Sequence, residues 1–277
     1  LYAVAKDSND CISTKSSNLK ITVNPNPVMT SPTNITICAN NLIEIPLSSD
    51  ITASYTWQAN DNTLIEGESI TIKSTNLIKD TLKSNSIVQE IVNYTVIPTS
   101  LLGCLGTAQS VSVKVNPTPV ISNVTDTICS GTSFNLIPTH NKPLGNVVPS
   151  NSSYTWPSPT FSSGSLVGPS AQATGSLTIS QLIKNQTNSS VDLTYLITPK
   201  SGATGSCTGK PFTYKLVINP TPEIPNYISD SICSGETKIY IPKNRLPTST
   251  IIVPTTTKYT WNSVSYTHLT LPTILLV

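Results

Sequence analysis

The sequence predicts an all-β protein made of tandem β-sandwiches, and three observations support this prediction. Strand-forming Val, Ile, Thr and Tyr dominate, whereas Ala, Glu and Met, which favour helices, are scarce. Turn residues (Pro, Gly, Asn and Ser) separate short alternating segments about every 8–12 positions, as they do in sandwiches. One block of motifs also recurs along the chain, and such self-similarity is the signature of a repeat architecture.

The clearest repeated motif is Asn-Pro-X-Pro, here called the linking element. It occupies residues 24–27, 116–119 and 219–222, with periods of 92 and 103 residues. A period of this length fits one β-sandwich of about 100 residues and is too long for a solenoid repeat. Proline lacks the N–H that a sheet needs. Each linking element should therefore end a strand and stiffen a short junction, giving a beads-on-a-rod arrangement.

Other landmarks keep the same order in each repeat. Tyr-Thr-Trp occurs at 55–57, 154–156 and 259–261, and a later strand carries a second tyrosine at Tyr94 or Tyr195. Residues 70–72 (ITI) and 177–179 (LTI) each predict an alternating strand. Residues 77–80 (LIKD) and 182–185 (LIKN) look like the same position of the repeat. The residues expected to fill the cores are Trp57, Trp156, Trp261, Tyr94 and Tyr195.

These landmarks predict a domain organisation. Residues 1–24 are the last part of a preceding repeat, 25–116 and 117–219 are complete sandwiches, and 220–264 are the first half of a further repeat. Residues 265–277 do not follow the repeat pattern. They resemble translated sequencing-adapter read-through, and a divergent strand is the alternative.

Composition argues against several classes of function. Charged residues make up 11% of the chain and the net charge is +2 without a basic block, which does not favour nucleic-acid binding. No apolar run is long enough for a transmembrane helix. His140 and His268 lack a Ser-His-Asp or Cys-His context, and no CxxC pair predicts a metal site. We therefore expect no enzyme activity, no catalytic residue, no metal and no cofactor.

The cysteines alternate between two positions of the repeat. Cys38, Cys129 and Cys233 follow a linking element, whereas Cys11, Cys104 and Cys207 precede one. Pairing within each complete repeat would join Cys38 to Cys104 and Cys129 to Cys207, and this is the favoured scheme. Pairing across the junctions would join Cys11 to Cys38, Cys104 to Cys129 and Cys207 to Cys233. Either scheme requires an oxidising compartment.

The combination of Asn-Pro-Thr-Pro, Ile-Cys-Ser-Gly, Tyr-Thr-Trp and Tyr-x-Ile-Thr-Pro resembles the PKD-like, immunoglobulin-like repeats of large Bacteroidota surface and secreted adhesin-like proteins. The resemblance implies immunoglobulin-like sandwiches in an extracellular or cell-surface setting, and it supplies no catalytic residues. It implies a non-catalytic structural or adhesive stalk that spaces and presents other domains.

The alternative is a carbohydrate-binding accessory region of a secreted glycoside hydrolase. The sequence identifies no partner, although an extracellular glycan or protein is the kind to expect. Phe161, which has no counterpart in the other repeats, either folds over the edge of the core or contacts such a partner. An exposed tryptophan platform would favour the alternative, and buried Trp57 and Trp156 would favour the stalk.

Overall fold

The computed structural model describes residues 2–15, 20–162, 165–202, 205–224, 230–244 and 251–262. Two compact units divide the chain: Leu1–Ser84 with Gln89–Val115, and Asn85–Val88 with Asn116–Val277. Each contains one β-sandwich, and no helix occurs in the described ranges. The chain is therefore all-β, as the composition predicts. The repeat boundaries at 25–116 and 117–219 stay a prediction.

The first sandwich has seven strands in two sheets. They are β1 (Asn34–Cys38), β2 (Asn41–Pro46), β3 (Ala53–Ala59), β4 (Ile65–Glu66), β5 (Leu77–Ser84), β6 (Glu90–Ser100) and β7 (Gln109–Asn116). One sheet has the order β1-β7-β6-β3 and the other the order β2-β5-β4. Consecutive strands thus often lie in opposite sheets, which is the Greek-key character expected of such sandwiches.

The second sandwich repeats this plan with two extra short strands. Its strands are β8 (Val124–Cys129), β9 (Thr132–Leu136), β10 (Ser153–Trp156), β11 (Thr160–Phe161), β12 (Leu166–Val167), β13 (Gln172–Ser176), β14 (Ile179–Asn185), β15 (Val191–Lys200) and β16 (Phe212–Asn219). One sheet has the order β13-β10-β15-β16-β8, with β11 also paired to β15, and the other has the order β12-β14-β9.

Strict alternation along the long strands builds both cores. In β16, for example, Phe212, Tyr214, Leu216 and Ile218 are all at most 2% exposed, and the residues between them are more exposed. Because successive side chains of a strand point to opposite faces, this pattern places one face of the sheet against its partner sheet. Each core cluster consists of residues from its own sandwich alone.

Aromatic side chains occupy the centre of each core. Trp57 and Trp156 are each 4% exposed, and Tyr94 and Tyr195 are fully buried. The rings of Trp57 and Tyr94 meet edge to face at 5.8 Å, and those of Trp156 and Tyr195 at 6.2 Å. Such contacts add to the hydrophobic stabilisation of the buried area.

Trp261 does not belong to a core, so the expectation for this residue is wrong. Its side chain is 62% exposed. The reason is that the described residues after Asn219 contain no strand and only one isolated bridge, between Glu223 and Ile252. No sheet formed by the described residues covers the indole. Residues 265–277, the suspected read-through, lie outside the described residues.

Two local predictions about the repeat also change. Residues 70–72 form no strand, and Ile70 and Ile72 are 55% and 69% exposed. Residues 77–80 and 182–185 are not equivalent positions of the repeat. The backbone N–H of Asn40 donates to the carbonyl oxygen of Leu82, and the backbone N–H of Gly131 donates to that of Ile183. Leu82 is therefore the counterpart of Ile183. This register makes Asp80 the counterpart of Gln181. The two segments have similar sequences, but the register of a strand is fixed by its hydrogen bonds and not by its composition.

One glycine position of the repeat is dictated by backbone geometry. Gly67 and Gly168 follow the short strands β4 and β12 with φ angles of +93° and +108°. A Cβ atom would collide with the carbonyl oxygen of Thr81 in the first case and of Leu182 in the second. Only glycine combines this left-handed conformation with such a close approach.

Candidate functional site

The described ranges contain no cluster of three or more His, Cys, Asp or Glu side chains that could hold a metal ion. Nor is any helix there long and apolar enough to cross a membrane. His140 lies in a loop, with Nε2 3.3 Å from Nδ2 of Asn141. The sites worth considering are therefore a buried carboxylate, a surface pocket and the cysteines.

The buried carboxylate of Asp80 accepts hydrogen bonds from two residues of its own sandwich, Ser69 and Tyr94. Its Oδ2 accepts hydrogen bonds from the backbone N–H of Ser69 (2.8 Å) and from Tyr94 Oη (2.8 Å), and its Oδ1 accepts one from Ser69 Oγ (2.7 Å). Burial, and then the hydrogen bond to Asp80, raise the pKa of Tyr94 above its ordinary value. The counterpart pair is neutral, since Tyr195 Oη lies 2.7 Å from Gln181 Oε1. Both pairs join the two sheets of a sandwich.

A shallow surface pocket of about 390 Å³ lies on the second sandwich. It is lined by Thr160, Phe161, Ser162, Asp192, Thr194 and Lys215. The short strand β11 forms one wall, because Phe161 pairs with Leu193 of β15. Phe161 is 44% exposed, so its ring is available to a ligand rather than folded over the core. Opposite charges face each other there, with Lys215 Nζ 2.8 Å from Asp192 Oδ2.

This combination of residues is particular to the second sandwich. In the first sandwich the strand register places Ser112 where Lys215 stands and Ile91 where Asp192 stands. Sequence reasoning singled out Phe161 alone, because Asp192 and Lys215 lie 23 residues apart and meet only through the β15–β16 register. An exposed aromatic ring beside hydrogen-bonding side chains can bind a ligand with one apolar and one polar face.

The cysteines of the second sandwich lie at opposite ends of it. Cys129 ends β8 and lies opposite Asn219 in the parallel β8–β16 register. Cys207 precedes β16 and lies beside the other end of that strand, next to the Thr208–Lys200 bridge. Strand β16 runs from Phe212 to Asn219, which corresponds to about 23 Å at the usual rise per residue.

The predicted pairing of Cys129 with Cys207 is therefore wrong, because a disulfide needs Cα atoms within about 7 Å. Cys129 and Cys104 are free thiols, as are Cys11 and Cys233. Cys38 and Cys207 are disulfide-bonded. Neither scheme derived from spacing is formed, since one requires a bond from Cys38 to Cys104 and the other a bond from Cys104 to Cys129.

Cys104 occupies the position in the first sandwich that Cys207 occupies in the second. Its backbone N–H donates to Ser100 Oγ (3.0 Å) at the end of β6, and its carbonyl accepts from Ser100 N–H. Two residues later, Gly106 packs against the carbonyl oxygen of Pro27, as Gly209 packs against that of Pro119. The second cysteine of each repeat thus lies where its own linking element enters the sandwich.

Two sheets packed face to face around a Trp-Tyr centre define immunoglobulin-like β-sandwiches in tandem, and in the second sandwich the first and last strands are parallel. Residues 35–119 and 126–222 each match the model of the PKD-like domain. These two matches cover well over half of the chain, which therefore belongs to the PKD-like domain family. A search of curated proteins finds none that matches the chain.

A comparison with solved structures finds matches of low identity and low TM-score. One contains the fibronectin(III)-like modules of Clostridium thermocellum CbhA (10% identity, 70% of this chain and 94% of that chain, TM-score 0.25). Another is the Bacteroides ovatus protein SGBP-B in complex with a mixed-linkage heptasaccharide (12%, 69% and 48%, 0.24). A third is the D00-D0 domain of intimin (14%, 68% and 98%, 0.27). Likeness at this level carries no information on function.

Proposed function

We propose that this chain is a non-catalytic structural segment of a large exported surface protein, of the kind found in Bacteroidota, whose repeats space and present other domains. The observation that carries the proposal is the parallel pairing of β8 with β16. Six residue pairs join these strands, from Val124 with Tyr214 to Cys129 with Asn219. These are the first and last strands of the sandwich.

This pairing suits a segment that is pulled from its two ends. Tension would enter the second sandwich at the start of β8 and leave it at the end of β16. Because the two strands are parallel, that force acts along the ladder and loads its hydrogen bonds together rather than one after another. The sandwich therefore has a geometry that resists extension, which a spacer on a cell surface requires.

Two other features support export and a structural role. Cys38 and Cys207 are disulfide-bonded, and such bonds persist mainly outside the reducing cytosol. Trp57 and Trp156 are buried, so they cannot form the exposed platform that would favour the carbohydrate-binding alternative. The tandem sandwiches also have separate cores, as expected of spacer units.

Single-molecule force spectroscopy tests the proposal. The full chain, kept reduced, is pulled from its two termini, and the force at which the second sandwich unfolds is recorded. The control has the same sandwich pulled through handles at Leu196 and Thr213, which lie opposite each other in the antiparallel β15–β16 pair. That direction opens the hydrogen bonds one by one.

We expect terminal pulling to require a force several-fold higher than the control direction. Equal or lower resistance in terminal pulling would remove the support for a force-resisting spacer. Export is tested separately by adding a protease to intact cells that express the complete gene. Digestion of the repeats at the cell surface is expected, and protection from the protease would contradict surface exposure.

A second candidate function is carbohydrate binding. One observation favours it, the surface pocket on the second sandwich. Phe161 offers an exposed ring face, and Thr194, Asp192 and Lys215 offer hydrogen-bonding groups to sugar hydroxyls. Calorimetry with soluble glucan, mannan and xylan oligosaccharides tests it. Phe161→Ala should abolish any heat of binding, and Val167→Ala, which removes a similarly exposed side chain outside the pocket, should not. Binding that survives Phe161→Ala would locate the ligand elsewhere.

A further inference from the structure

Each of the two cysteine positions of the repeat lies next to the asparagine of a linking element. Cys207 Sγ lies 4.0 Å from the carbonyl oxygen of Asn116, the asparagine that precedes its sandwich. Cys129 lies opposite Asn219, the asparagine that follows the same sandwich. Cys207 is thus an entry-end cysteine and Cys129 an exit-end cysteine. Asn116 and Asn219 are equivalent residues of successive linking elements.

It follows that the linking element at residues 219–222 should receive two cysteines when a complete copy of the repeat follows it. Cys129 lies across the strand pair from Asn219. The entry-end cysteine of the following copy should lie beside the carbonyl group of Asn219, as Cys207 lies beside that of Asn116. The sequence after Asn219 begins a further copy of the repeat, with Pro220-Thr221-Pro222 and then Ile232-Cys233-Ser234-Gly235. The entry-end cysteine of that copy would be directed to the linking element that Cys129 faces.

The state of the equivalent residues supports this convergence. Cys38 is the exit-end counterpart of Cys129, Cys207 is an entry-end cysteine, and both are disulfide-bonded. Both positions of the repeat can therefore form disulfide bonds.

We propose that Cys129 forms a disulfide with the entry-end cysteine of a following copy of this repeat. Cys104 forms the corresponding disulfide with the exit-end cysteine of a preceding copy. In this reaction the two thiols lose two protons and two electrons to a small disulfide such as oxidised glutathione, which is released as two thiols. The bond would form whether the repeats space other domains or bind a ligand.

An extended chain tests the proposal. A second copy of residues 117–219 is inserted between Asn219 and Pro220 of the full chain, which is then oxidised in a glutathione redox buffer. Free thiols are alkylated, and peptides are mapped by mass spectrometry without reduction. In the original chain Cys129 should be alkylated. In the extended chain it should be joined to the inserted copy's counterpart of Cys207 and lose its alkylation almost completely.

The matched control carries Ser in place of that one inserted cysteine, and Cys129 should then be alkylated again. Cooperative urea unfolding of all three proteins shows that the sandwiches are folded. Alkylated Cys129 in the folded extended chain would overturn the proposal. So would a bond from Cys129 to Cys207 of its own sandwich, or a bond to any cysteine other than the inserted entry-end one.

Discussion

Tyr94 Oη, on one sheet of the first sandwich, donates a hydrogen bond of 2.8 Å to Asp80 Oδ2 on the other sheet. Asp80 is 6% exposed, so this bond helps to keep a charged group inside the sandwich. In the second sandwich the equivalent bond, from Tyr195 to Gln181, has a neutral acceptor. The two repeats thus have the same tyrosine hydrogen bond between their sheets, but the acceptor is a carboxylate in the first sandwich and an amide in the second.

Tyr94→Phe should lower the free energy of unfolding of the first sandwich by about 1.5–3 kcal/mol, the usual range for a hydrogen bond to a charged group. Tyr195→Phe is the matched control and should cost about 0.5–1.5 kcal/mol, because its partner is neutral. Urea melts of the full chain measure both changes. A larger loss from Tyr195→Phe than from Tyr94→Phe would contradict the assigned difference.

Trp156→Ala should destabilise the second sandwich by about 3–5 kcal/mol, since it leaves a cavity between the two sheets. The Trp156 indole also donates a hydrogen bond of 2.9 Å from Nε1 to the carbonyl oxygen of Ser170, which the variant loses. Trp261→Ala, at an exposed position, should change stability by less than about 0.5 kcal/mol. Urea melts again decide, and a loss below about 1 kcal/mol for Trp156→Ala would refute its core role.

Asn185→Ala should cost about 1–3 kcal/mol, because it leaves buried backbone groups without partners. Asn185 is fully buried, and its Nδ2 donates to the carbonyl oxygens of Ser189 (2.8 Å) and Ile218 (3.0 Å). Asn135→Ala, at an exposed position of β9, is the control and should be nearly neutral. If both variants melted at the same urea concentration, the buried amide would have no stabilising role.

Stability should fall above about pH 10, where tyrosine ionises in an unfolded chain. Burial raises the pKa of Tyr154 to about 12 in the folded protein. This group therefore contributes stability that is fully present below pH 10 and is lost as the pH rises through 12, at about 1.4 kcal/mol per pH unit between these values. Burial also raises the pKa of Tyr94, Tyr195 and Tyr214.

Urea midpoints measured between pH 8 and 12, together with tyrosinate absorbance, check this dependence. A decline that begins near pH 10 and accompanies tyrosine ionisation is expected. Constant stability up to pH 12 would show that these hydroxyl groups ionise equally well in the folded chain.

Residues 117–219 should fold alone as one cooperative unit, because every buried residue of the second core lies between Ile121 and Ile218. An isolated fragment should give a dispersed amide spectrum and a single urea transition. The fragment 220–277 is the comparison, and its described residues form no strand. A collapsed spectrum for 117–219, or a dispersed β spectrum for 220–277, would refute the predicted boundaries.

The sequence by itself determined the all-β class, the repeat and four of the nine aromatic residues of the two core clusters: Trp57, Trp156, Tyr94 and Tyr195. Alternation along strands such as β16 is a local property, and so is the proline-rich linking element. The recurrence of Tyr-Thr-Trp placed Trp57 and Trp156 correctly in the cores. These features could be predicted because each depends on neighbours that are close in the sequence.

Only the tertiary structure decided how distant residues meet. The equivalence of Asp80 with Gln181, and the meeting of Asp192 with Lys215 beside Phe161, depend on strand register, which similar letters do not reveal. Trp261 carries the core motif, yet it is exposed because no described sheet covers it.

The cysteines show the same limit most clearly. Two cysteines in one repeat suggest a bond within it, but the parallel pairing of β8 with β16 separates Cys129 from Cys207 by the length of a strand. Spacing along the chain could not show this. The end of the sandwich at which each thiol lies depends on the direction in which a distant strand joins the sheet.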